Sequence, residues 1–246
     1  MTEELFREDA TLLQCEATVL TVDESGIVLD RTVFYPLGGG QAGDTGTLTA
    51  ANGAVLVVAD TRKHKSQPGA IVHVPLQVPL QVPLHEFAFA PGTKVVATVD
   101  AARRQAHRRF HTATHLLCAL VPHPVDGCSI TAGYARLDFH MNEPLDKDAL
   151  TGGIARLVAE AHAVSHRWIS EAELDANPGL VRSMSVQPPR GLGRIRVLVI
   201  EGVDLQPCGG THVANTAEVG DVVVTKIEKK SAMTRRVVLG FAAPAI

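Results

Sequence analysis

The sequence is poor in cysteine, lacks a long apolar run and has no excess of positive charge, and each absence excludes a class of protein. Four scattered cysteines in 246 residues are too few for the framework of a disulfide-stabilised secreted domain, so we expect reduced thiols. The longest apolar stretches, such as Val197–Ile200, are far shorter than the roughly 20 residues of a membrane helix. A formal net charge of −3 excludes a protein that is basic throughout and binds nucleic acid with its whole surface.

The N-terminal segment MTEELFREDA is polar and acidic, without the basic start and apolar stretch of a secretory signal. We therefore expect a cytoplasmic protein that has no membrane contact. Hydrophobic residues make up 46% of the chain, which is typical of a globular protein, and the length suffices for one large domain or two smaller ones.

Positive charge is concentrated in three local clusters. They are Arg103, Arg104, Arg108 and Arg109; Arg190, Arg194 and Arg196; and Lys226, Lys229, Lys230, Arg235 and Arg236. Any one of them is typical of an ordinary solvated face. Three clusters in one half of the chain indicate a basic patch on a mildly acidic protein.

Short strands and turns are predicted for the first part of the chain. Strands over Cys15–Val22, Ile27–Tyr35 and Val95–Asp100 are separated by turns, and Asn52-Gly53 is typical of a β-hairpin. We expect a small β-barrel or sandwich domain over residues 1–95. The repeat VPLQ-VPLQ-VPL at 74–84 has proline every four residues, which excludes a helix or a central strand and indicates an extended, inserted linker.

Residues 96–246 have a different pattern. The predicted elements are a helix over Ala101–Val121, a second helix over Asp148–His166, a strand over Arg194–Glu201 and a hairpin of Glu218–Glu228 with Thr234–Phe241. Asp100 is a good N-cap for the first helix, and Ser170 with Glu173 forms the capping box of a further short helix. Helices that cover one face of an antiparallel sheet make this an α+β domain, and α+β is the fold class that we expect for the chain.

Two motifs together predict a metal site. His111 and His115 lie four residues apart in a predicted helix, so both rings share one face. Cys208 and His212 lie four apart in a loop whose two glycines allow it to fold tightly. Either pair alone is more typical of an ordinary surface. Together they supply one thiolate and three imidazoles, which suit one tetrahedral Zn²⁺ ion.

Two neighbouring features narrow the chemistry. The position after His111 is Thr112, whereas the HExxH zinc proteases carry their glutamate base there, so peptide hydrolysis by that mechanism is disfavoured.

Upstream, Gly38, Gly39 and Gly40 precede Gln41, and such a glycine run lets a ligand approach the backbone. A flexible turn would have the same composition. His107 lies four residues before His111 in the first predicted helix. We interpret it as a neighbour of the site or a surface residue rather than a ligand.

The motif HTATH at 111–115 followed by Leu116-Leu117, with QPCGGTH at 206–212, resembles the editing domain of alanyl-tRNA synthetase. The chain is still more similar to its free-standing relatives, the AlaX editing proteins, and Gly38–Gln41 resembles the glycine motif of their medium-length group. The VPLQ repeat and the turn Ser231-Ala232-Met233 depart from that pattern. The resemblance covers nearly the whole chain and leaves no room for the aminoacylation domain of a synthetase.

The resemblance implies a trans-editing deacylase with one Zn²⁺ ion, which hydrolyses the ester of serine or glycine on the 3′ end of mischarged tRNA(Ala). It implies no need for ATP, and we expect a monomer or a weak oligomer. Substrate contacts are expected at Gly38, Gly39, Gly40, Gln41, Thr112 and Thr211. The two threonines adjoin metal ligands, where they could orient water or bind the serine hydroxyl, and the basic clusters would hold acceptor-stem phosphates.

Several alternatives stay open at this level. Four protein ligands usually mark a structural zinc site, so the chain could be a non-catalytic RNA-binding module. It could also be a metallohydrolase for free small molecules, or edit a different mischarged tRNA, since threonyl-tRNA synthetase carries a related domain. No side chain is identified as the general base, and the catalytic residues are therefore unknown.

Overall fold

The computed structural model describes residues 1–76, 88–184, 187–188, 190–191 and 193–242. The strands are β1 (Glu3–Glu4), β2 (Gln14–Asp23), β3 (Gly26–Leu29), β4 (Arg31–Thr32), β5 (Gly46–Ala50), β6 (Val55–Lys63), β7 (Ile71–Pro75), β8 (Lys94–Val99), β9 (Val125–Ile130), β10 (Ala135–His140), β11 (Val164–Ser170), β12 (Arg194–Ile200), β13 (Asp204–Pro207), β14 (Val222–Ser231) and β15 (Thr234–Phe241). The α-helices are α1 (Ala101–Leu120), α2 (Lys147–Ala159) and α3 (Glu171–Ala176). The predicted α+β class is confirmed.

The chain forms two compact units. The first consists of Met1–Gly38 with Ala42–Gln105, and the second of Gly39–Gln41 with Ala106–Ile246. Gly39–Gln41 thus group with the second unit, whereas the sequence pattern predicts them in the first domain. The assignment of distinct functional domains to 1–95 and 96–246 stays a prediction. No helix in the described part of the chain combines the length and apolar character needed to cross a membrane.

The first unit contains a closed barrel of strand order β2-β3-β7-β6-β5-β8, so of the two architectures expected for this part the barrel is correct. Side chains that alternate along the strands fill its interior, among them Val19, Leu29, Leu48 and Val58. The turn predicted at Asn52-Gly53 joins β5 to the antiparallel β6. Gly53 has a φ of 85°, which glycine adopts without the steric cost of a side chain.

A buried ion pair fixes the end of the first unit. Arg104 has 1% of its side chain exposed, and its Nη2 donates to Oδ2 of Asp44 at 2.5 Å. Further donors of the same guanidinium reach the carbonyls of Ala10 and Val33. A buried charge with a charged partner and additional hydrogen bonds is a structural element, so Arg104 does not belong to an exposed basic patch.

The second unit contains a four-stranded sheet of order β14-β15-β10-β9 and a three-stranded sheet of order β11-β12-β13. Helix α1 begins after Asp100, whose Oδ1 accepts the amide of Arg103 at 3.0 Å, as expected for its N-cap. Buried apolar residues of α1, including Phe110 and Leu117, share one core with Ile154 of α2 and Leu239 of β15. The helix that carries the first metal motif is therefore anchored in the centre of this unit.

The prediction of a single helix over Asp148–His166 is wrong in its second half. Helix α2 ends at Ala159, and Ala161 has a φ of 55°, which interrupts the helical backbone. Val164–Ser170 then forms β11, paired with β12. An apolar residue at position 164 fits the pattern of a helix as well as that of a strand. Pairing of Val164 with Ile200 of β12 makes this segment a strand. The capping box of Ser170 and Glu173 is confirmed at the start of α3.

Two strand boundaries also differ from the prediction. Glu218 lies in a short 3₁₀ helix at Thr216–Val219, where it completes a capping box with the N-cap Asn215, so the terminal hairpin starts at Val222 rather than at Glu218. The strand predicted over Ile27–Tyr35 is divided into β3 and β4, and Phe34 and Tyr35 follow it in a loop. The first two residues of the VPLQ repeat, Val74 and Pro75, pair with β6 at the end of β7, so the exclusion of a strand is wrong for them. Most of the repeat lies outside the described residues, which resume after residue 87.

One buried histidine is a pH-sensitive element of the barrel. His73 of β7 is fully buried, its Nδ1 donates to the carbonyl of Ile27 at 3.1 Å, and its Nε2 accepts from the hydroxyl of Thr32 at 2.8 Å. Burial lowers the pKa of His73 from 6.5 to about 4, against a smaller opposing effect of the Ile27 carbonyl. Both nitrogens are satisfied only in the neutral ring.

The shifted pKa of His73 predicts a loss of stability in mild acid. Between pH 6.5 and about 4 the unfolded chain binds a proton that the folded barrel does not, so the free energy of unfolding should fall over this range by up to about 3 kcal/mol. Urea unfolding followed by circular dichroism at several pH values measures this. His73→Gln should lower stability at neutral pH and remove this part of the pH dependence, while His123→Gln, outside the barrel, should retain it. An unchanged slope in His73→Gln would contradict the assignment.

Candidate metal centre

Helix α1 and the loop after β13 bring the four predicted ligands together. His111 and His115 lie one turn apart on α1, and Cys208 and His212 lie in the loop. Their potential ligand atoms all fall within 4.8 Å of one another, and the group could hold a metal ion. The three histidines are buried and Cys208 is half-buried. The structure therefore assembles all four residues in one cluster.

The distances within the cluster suit a tetrahedral ion. Sγ of Cys208 lies 3.4 Å from Nε2 of His111 and 3.2 Å from Nε2 of His212. Sulfur and nitrogen ligands of one tetrahedral zinc ion are expected to lie about 3.5 Å apart, given bonds of roughly 2.3 and 2.0 Å. The Nε2 atoms, rather than the Nδ1 atoms, thus face the thiolate and the position of an ion.

Gln41 holds both halves of the site. Its Oε1 lies 2.7 Å from Nδ1 of His111 and accepts the amide of Thr211 at 3.1 Å. Its Nε2 donates to the hydroxyl of Thr211 at 2.9 Å. An imidazole that binds a metal through Nε2 carries its proton on Nδ1, and an acceptor there fixes the ring. One fully buried amide therefore orients a helix ligand and the ligand loop together.

The other two histidines have equivalent partners. Nδ1 of His115 lies 2.7 Å from Oδ2 of Asp204, whose two oxygens also accept from Nε2 of Gln206 at 2.8 and 2.9 Å. Nδ1 of His212 lies 3.2 Å from the hydroxyl of Thr112. Each of the three rings is thus held by an acceptor on the side away from Cys208, which presents Nε2 towards it.

The ligand loop is held from outside by two arginines. Nη1 of Arg196 donates to the carbonyls of Cys208 and Gly210 at 2.8 and 3.3 Å, and Nε of Arg108 donates to the carbonyl of His212 at 2.8 Å. A Cβ at Gly210 would collide with the ring of His111. Glycine is required at this position because the loop backbone approaches a ligand side chain directly.

The electrostatics of the cluster favour a cation. Burial raises the pKa of the Cys208 thiol, but the nearby His111 and His212 outweigh burial and hold this pKa well below its ordinary value. Burial lowers the pKa of His212 to about 3, against an opposing effect of Cys208. Burial also lowers the pKa of His115, but Asp204 and Cys208 raise it, with a net value of about 10. Two acidic groups therefore flank one imidazole, and a thiolate is the form that binds metal.

The residues expected to contact substrate lie in different surroundings. Thr112 and Thr211 are fully buried beside the ligands, and the hydroxyl of Thr112 also accepts the amide of Val213 at 3.3 Å. Gly40 has a φ of 84°, and a Cβ there would meet the side chain of Cys128 at 2.9 Å. Gly38 and Gly39 fall in different compact units, and Gly39 has a φ of 59°. Their contacts with substrate stay a prediction.

Sequence reasoning missed part of the support around the ligands. Asp204 and Gln206 alternate along β13, and both are buried. Polar residues at alternating positions of a buried strand are an unusual pattern, which could have indicated a role next to the site. His107 is fully buried in α1, so of its two interpretations the surface residue is wrong, and the neighbour of the site stays a prediction.

The basic clusters are largely used inside the protein. Nε of Arg109 donates to the carbonyl of Val219 at 2.8 Å, and its guanidinium lies 4.2 Å from the ring centre of Phe241. Arg235 donates to several backbone carbonyls, and Arg236 forms two hydrogen bonds with Asp138 at 2.6 and 2.8 Å. With Arg104, Arg108 and Arg196 also engaged, these clusters supply fewer solvent-facing charges than their sequence indicates.

Comparisons with known proteins define the class of this chain. Residues 195–238 match the family model of the threonyl and alanyl tRNA synthetase second additional domain, a segment that includes Cys208 and His212. Residues 7–103 match the model of class II (A) tRNA synthetases. Both units of the chain therefore have counterparts among proteins of tRNA aminoacylation.

Full-length relatives define the family. The alanyl-tRNA editing protein AlaX-M of Saccharolobus solfataricus is 31% identical over 96% of this chain and 98% of its own length. That of Methanosarcina barkeri is 33% identical over 96% and 97%. An alanine–tRNA ligase of Pyrococcus abyssi is 32% identical over 100% of this chain, which spans 26% of the ligase. The chain belongs to the AlaX-M family of alanyl-tRNA editing proteins, which confirms the resemblance found in the sequence. The predicted enzyme class, an aminoacyl-tRNA deacylase, agrees with this membership.

Replacing Gln41 should weaken metal binding without unfolding the chain. Gln41→Ala removes the acceptor of His111 and both contacts to Thr211. Loss of such a partner typically lowers metal affinity 10- to 100-fold, so we expect the Zn²⁺ affinity of this variant to fall about 10-fold or more. Competition with a chromophoric chelator measures the Zn²⁺ affinity, and the visible spectrum of the Co²⁺ form reports ligand geometry. Gln67→Ala, at an exposed position, is the matched control. Equal affinities of Gln41→Ala and wild type would contradict the role of this side chain.

Proposed function

We propose that this chain is a trans-editing hydrolase that deacylates mischarged tRNA(Ala), with Ser-tRNA(Ala) as a substrate and Gly-tRNA(Ala) as a second. The observation that carries the proposal is the buried cluster of His111, His115, Cys208 and His212, in which each histidine has its own acceptor. Family membership over the whole chain supports the same function. The match covers 98% and 97% of the length of two relatives that are named alanyl-tRNA editing proteins.

Zinc is the metal that this donor set favours. Nitrogen and sulfur ligands suit Zn²⁺ better than Mg²⁺ or Ca²⁺, which prefer oxygen ligands. The second set of contacts, from Gln41, Asp204 and Thr112 to the three Nδ1 atoms, is the usual surrounding of zinc-binding histidines. We therefore propose one Zn²⁺ ion held by these four side chains.

The chemistry required is hydrolysis of an activated ester, which needs a positioned water molecule and a stabilised oxyanion. A bound Zn²⁺ ion would supply Lewis-acid polarisation at this position. The hydroxyl of Thr112 accepts hydrogen bonds from His212 and Val213, so its own proton can be donated. Thr112 and Thr211 are proposed to orient water or to bind the hydroxyl of a seryl group. Editing is useful because one binding step discriminates poorly between amino acids that differ by one small group.

The partner is proposed to be the acceptor end of tRNA(Ala). Gly38, Gly39 and Gly40 are proposed to approach the terminal adenosine through their backbone, and Gln41 to position this segment. We further propose that the reaction needs no ATP, since hydrolysis of the ester is favourable by itself, and that the chain acts in the cytoplasm as a monomer or weak oligomer.

A second candidate function follows from the number of ligands. Four protein ligands are typical of structural zinc, whereas catalytic sites usually keep one position for water. In that case the ion orders the pocket, and the chain binds tRNA without hydrolysing it. Substrate turnover separates these two functions.

Incubation with charged tRNA tests the proposed function. We expect hydrolysis of Ser-tRNA(Ala), slower or equal hydrolysis of Gly-tRNA(Ala), and little release of alanine from Ala-tRNA(Ala), because the site must spare the correct product. Filter assays with labelled amino acid measure all three under one condition. Binding of tRNA(Ala) without any deacylation would instead support the non-catalytic function.

Replacing one of the four proposed ligands tests whether the metal ion contributes to hydrolysis. Cys208→Ala should lower both zinc content and Ser-tRNA(Ala) hydrolysis, the latter at least about tenfold, since loss even of an outer partner has effects of this size. Atomic absorption and the deacylation assay are made on the same preparation. Cys15→Ala changes a half-buried cysteine of the barrel unit and is the control. Retained zinc with unchanged hydrolysis would refute a catalytic role for this ligand.

A further inference from the structure

Trp168 occupies an unusual position for the only tryptophan of the chain. It lies on β11 with 37% of its surface exposed, whereas tryptophan is on average a highly buried residue. The guanidinium of Arg194, at the start of β12, lies 4.6 Å from the centre of its ring. A guanidinium and an aromatic ring of this protein are therefore in contact at the surface.

The register of the sheet places this pair beside the metal cluster. Trp168 is directly paired with Arg196 across β11 and β12, and directly paired residues project from the same face of a sheet. Arg194 precedes Arg196 by two residues and shares that face. Arg196 in turn donates to the carbonyls of Cys208 and Gly210. The row Arg194, Trp168 and Arg196 thus ends at the ligand loop, with Trp168 on the order of 10 Å from Cys208.

The charge of this row is positive. Within the described part of the chain Arg194 forms no ion pair with a carboxylate, and its contact is the ring of Trp168. The nearest acidic residue after β11, Glu171, accepts from the amides of Gly191 and Gly193 at 2.8 and 3.1 Å. A partner suited to this surface combines a flat aromatic group with negative charge.

We propose that Trp168 and Arg194 form a stacking platform for an unpaired nucleobase at the 3′ end of the RNA whose ester is hydrolysed at the metal cluster. This inference rests on the proposed function. Unpaired bases of RNA stack on aromatic rings and on guanidinium planes, and the adjoining phosphates interact with arginine. The base next to the aminoacyl ester must lie close to the ligand loop, where the platform begins. Because Arg196 and many other arginines are engaged inside the protein, Arg194 takes a larger share in holding RNA.

The single tryptophan makes the test direct. An RNA hairpin that ends in the four unpaired 3′ nucleotides of tRNA(Ala) is compared with the same hairpin without them. We expect the first RNA to quench the fluorescence of Trp168 and the blunt RNA to leave it unchanged, because only an unpaired base can stack on the ring. Equal effects of both RNAs would overturn the proposal.

Variants measure what the platform contributes to RNA binding. Trp168→Ala should raise the Kd of the overhanging hairpin about tenfold and raise KM for Ser-tRNA(Ala) with little change in kcat, while Trp168→Phe should retain most of the affinity. Arg194→Ala should reduce the salt dependence of binding by about one charge. Met233→Ala, another exposed apolar residue of this unit, is the control and should bind as wild type does.

The outcomes separate this inference from the proposed function. Circular dichroism and zinc content show that each variant is folded and loaded, and the quenching of wild type and the salt dependence of Arg194→Ala remain informative where Trp168→Ala does not fold. If wild type deacylates Ser-tRNA(Ala) but shows no quenching by the overhanging hairpin, and Trp168→Ala has the Kd and KM of wild type, the platform is wrong and the proposed function stands. If wild type does not deacylate the tRNA, the proposed function fails, and with it the role of Trp168.

Discussion

The hydrogen bonds at the Nδ1 atoms of three histidines are the constraint on which the metal centre depends. Gln41, Asp204 and Thr112 come from a glycine segment, a strand and a helix, and each holds one imidazole with Nε2 towards Cys208. A metal ion binds more tightly when its ligands are already oriented, because ordering them on binding would cost conformational entropy. The cores of α1, α2 and the four-stranded sheet keep these supports in place.

The arginines show how an acidic protein can use positive charge inside its own structure. Arg104 pairs with Asp44 in the barrel unit, whereas Arg108 and Arg196 donate to backbone carbonyls of the ligand loop. A guanidinium presents several donors in a fixed plane, so it can satisfy carbonyls that a tight loop leaves without backbone partners. Charge clusters in the sequence therefore do not translate directly into a surface for phosphates.

Local patterns predicted those parts of the fold whose determinants are local. The N-cap of α1, the capping box of α3 and the turn at Asn52-Gly53 depend on neighbouring residues and are correct. The extension of α2 to His166 is wrong, because β11 forms through pairing with β12, some thirty residues further along the chain. Residues 161–166 carry no local signal that outweighs this pairing.

The sequence by itself determined which side chains could bind a metal, because two pairs at a spacing of four, one in a helix and one between glycines, each bring their members together locally. It also determined the family, through motifs spread over the chain. Only the tertiary structure decided how these ligands are oriented and what surrounds them. Gln41 and His111 are 70 residues apart and His115 and Asp204 are 89 apart, and such pairings arise from packing of the whole unit, which no local spacing records.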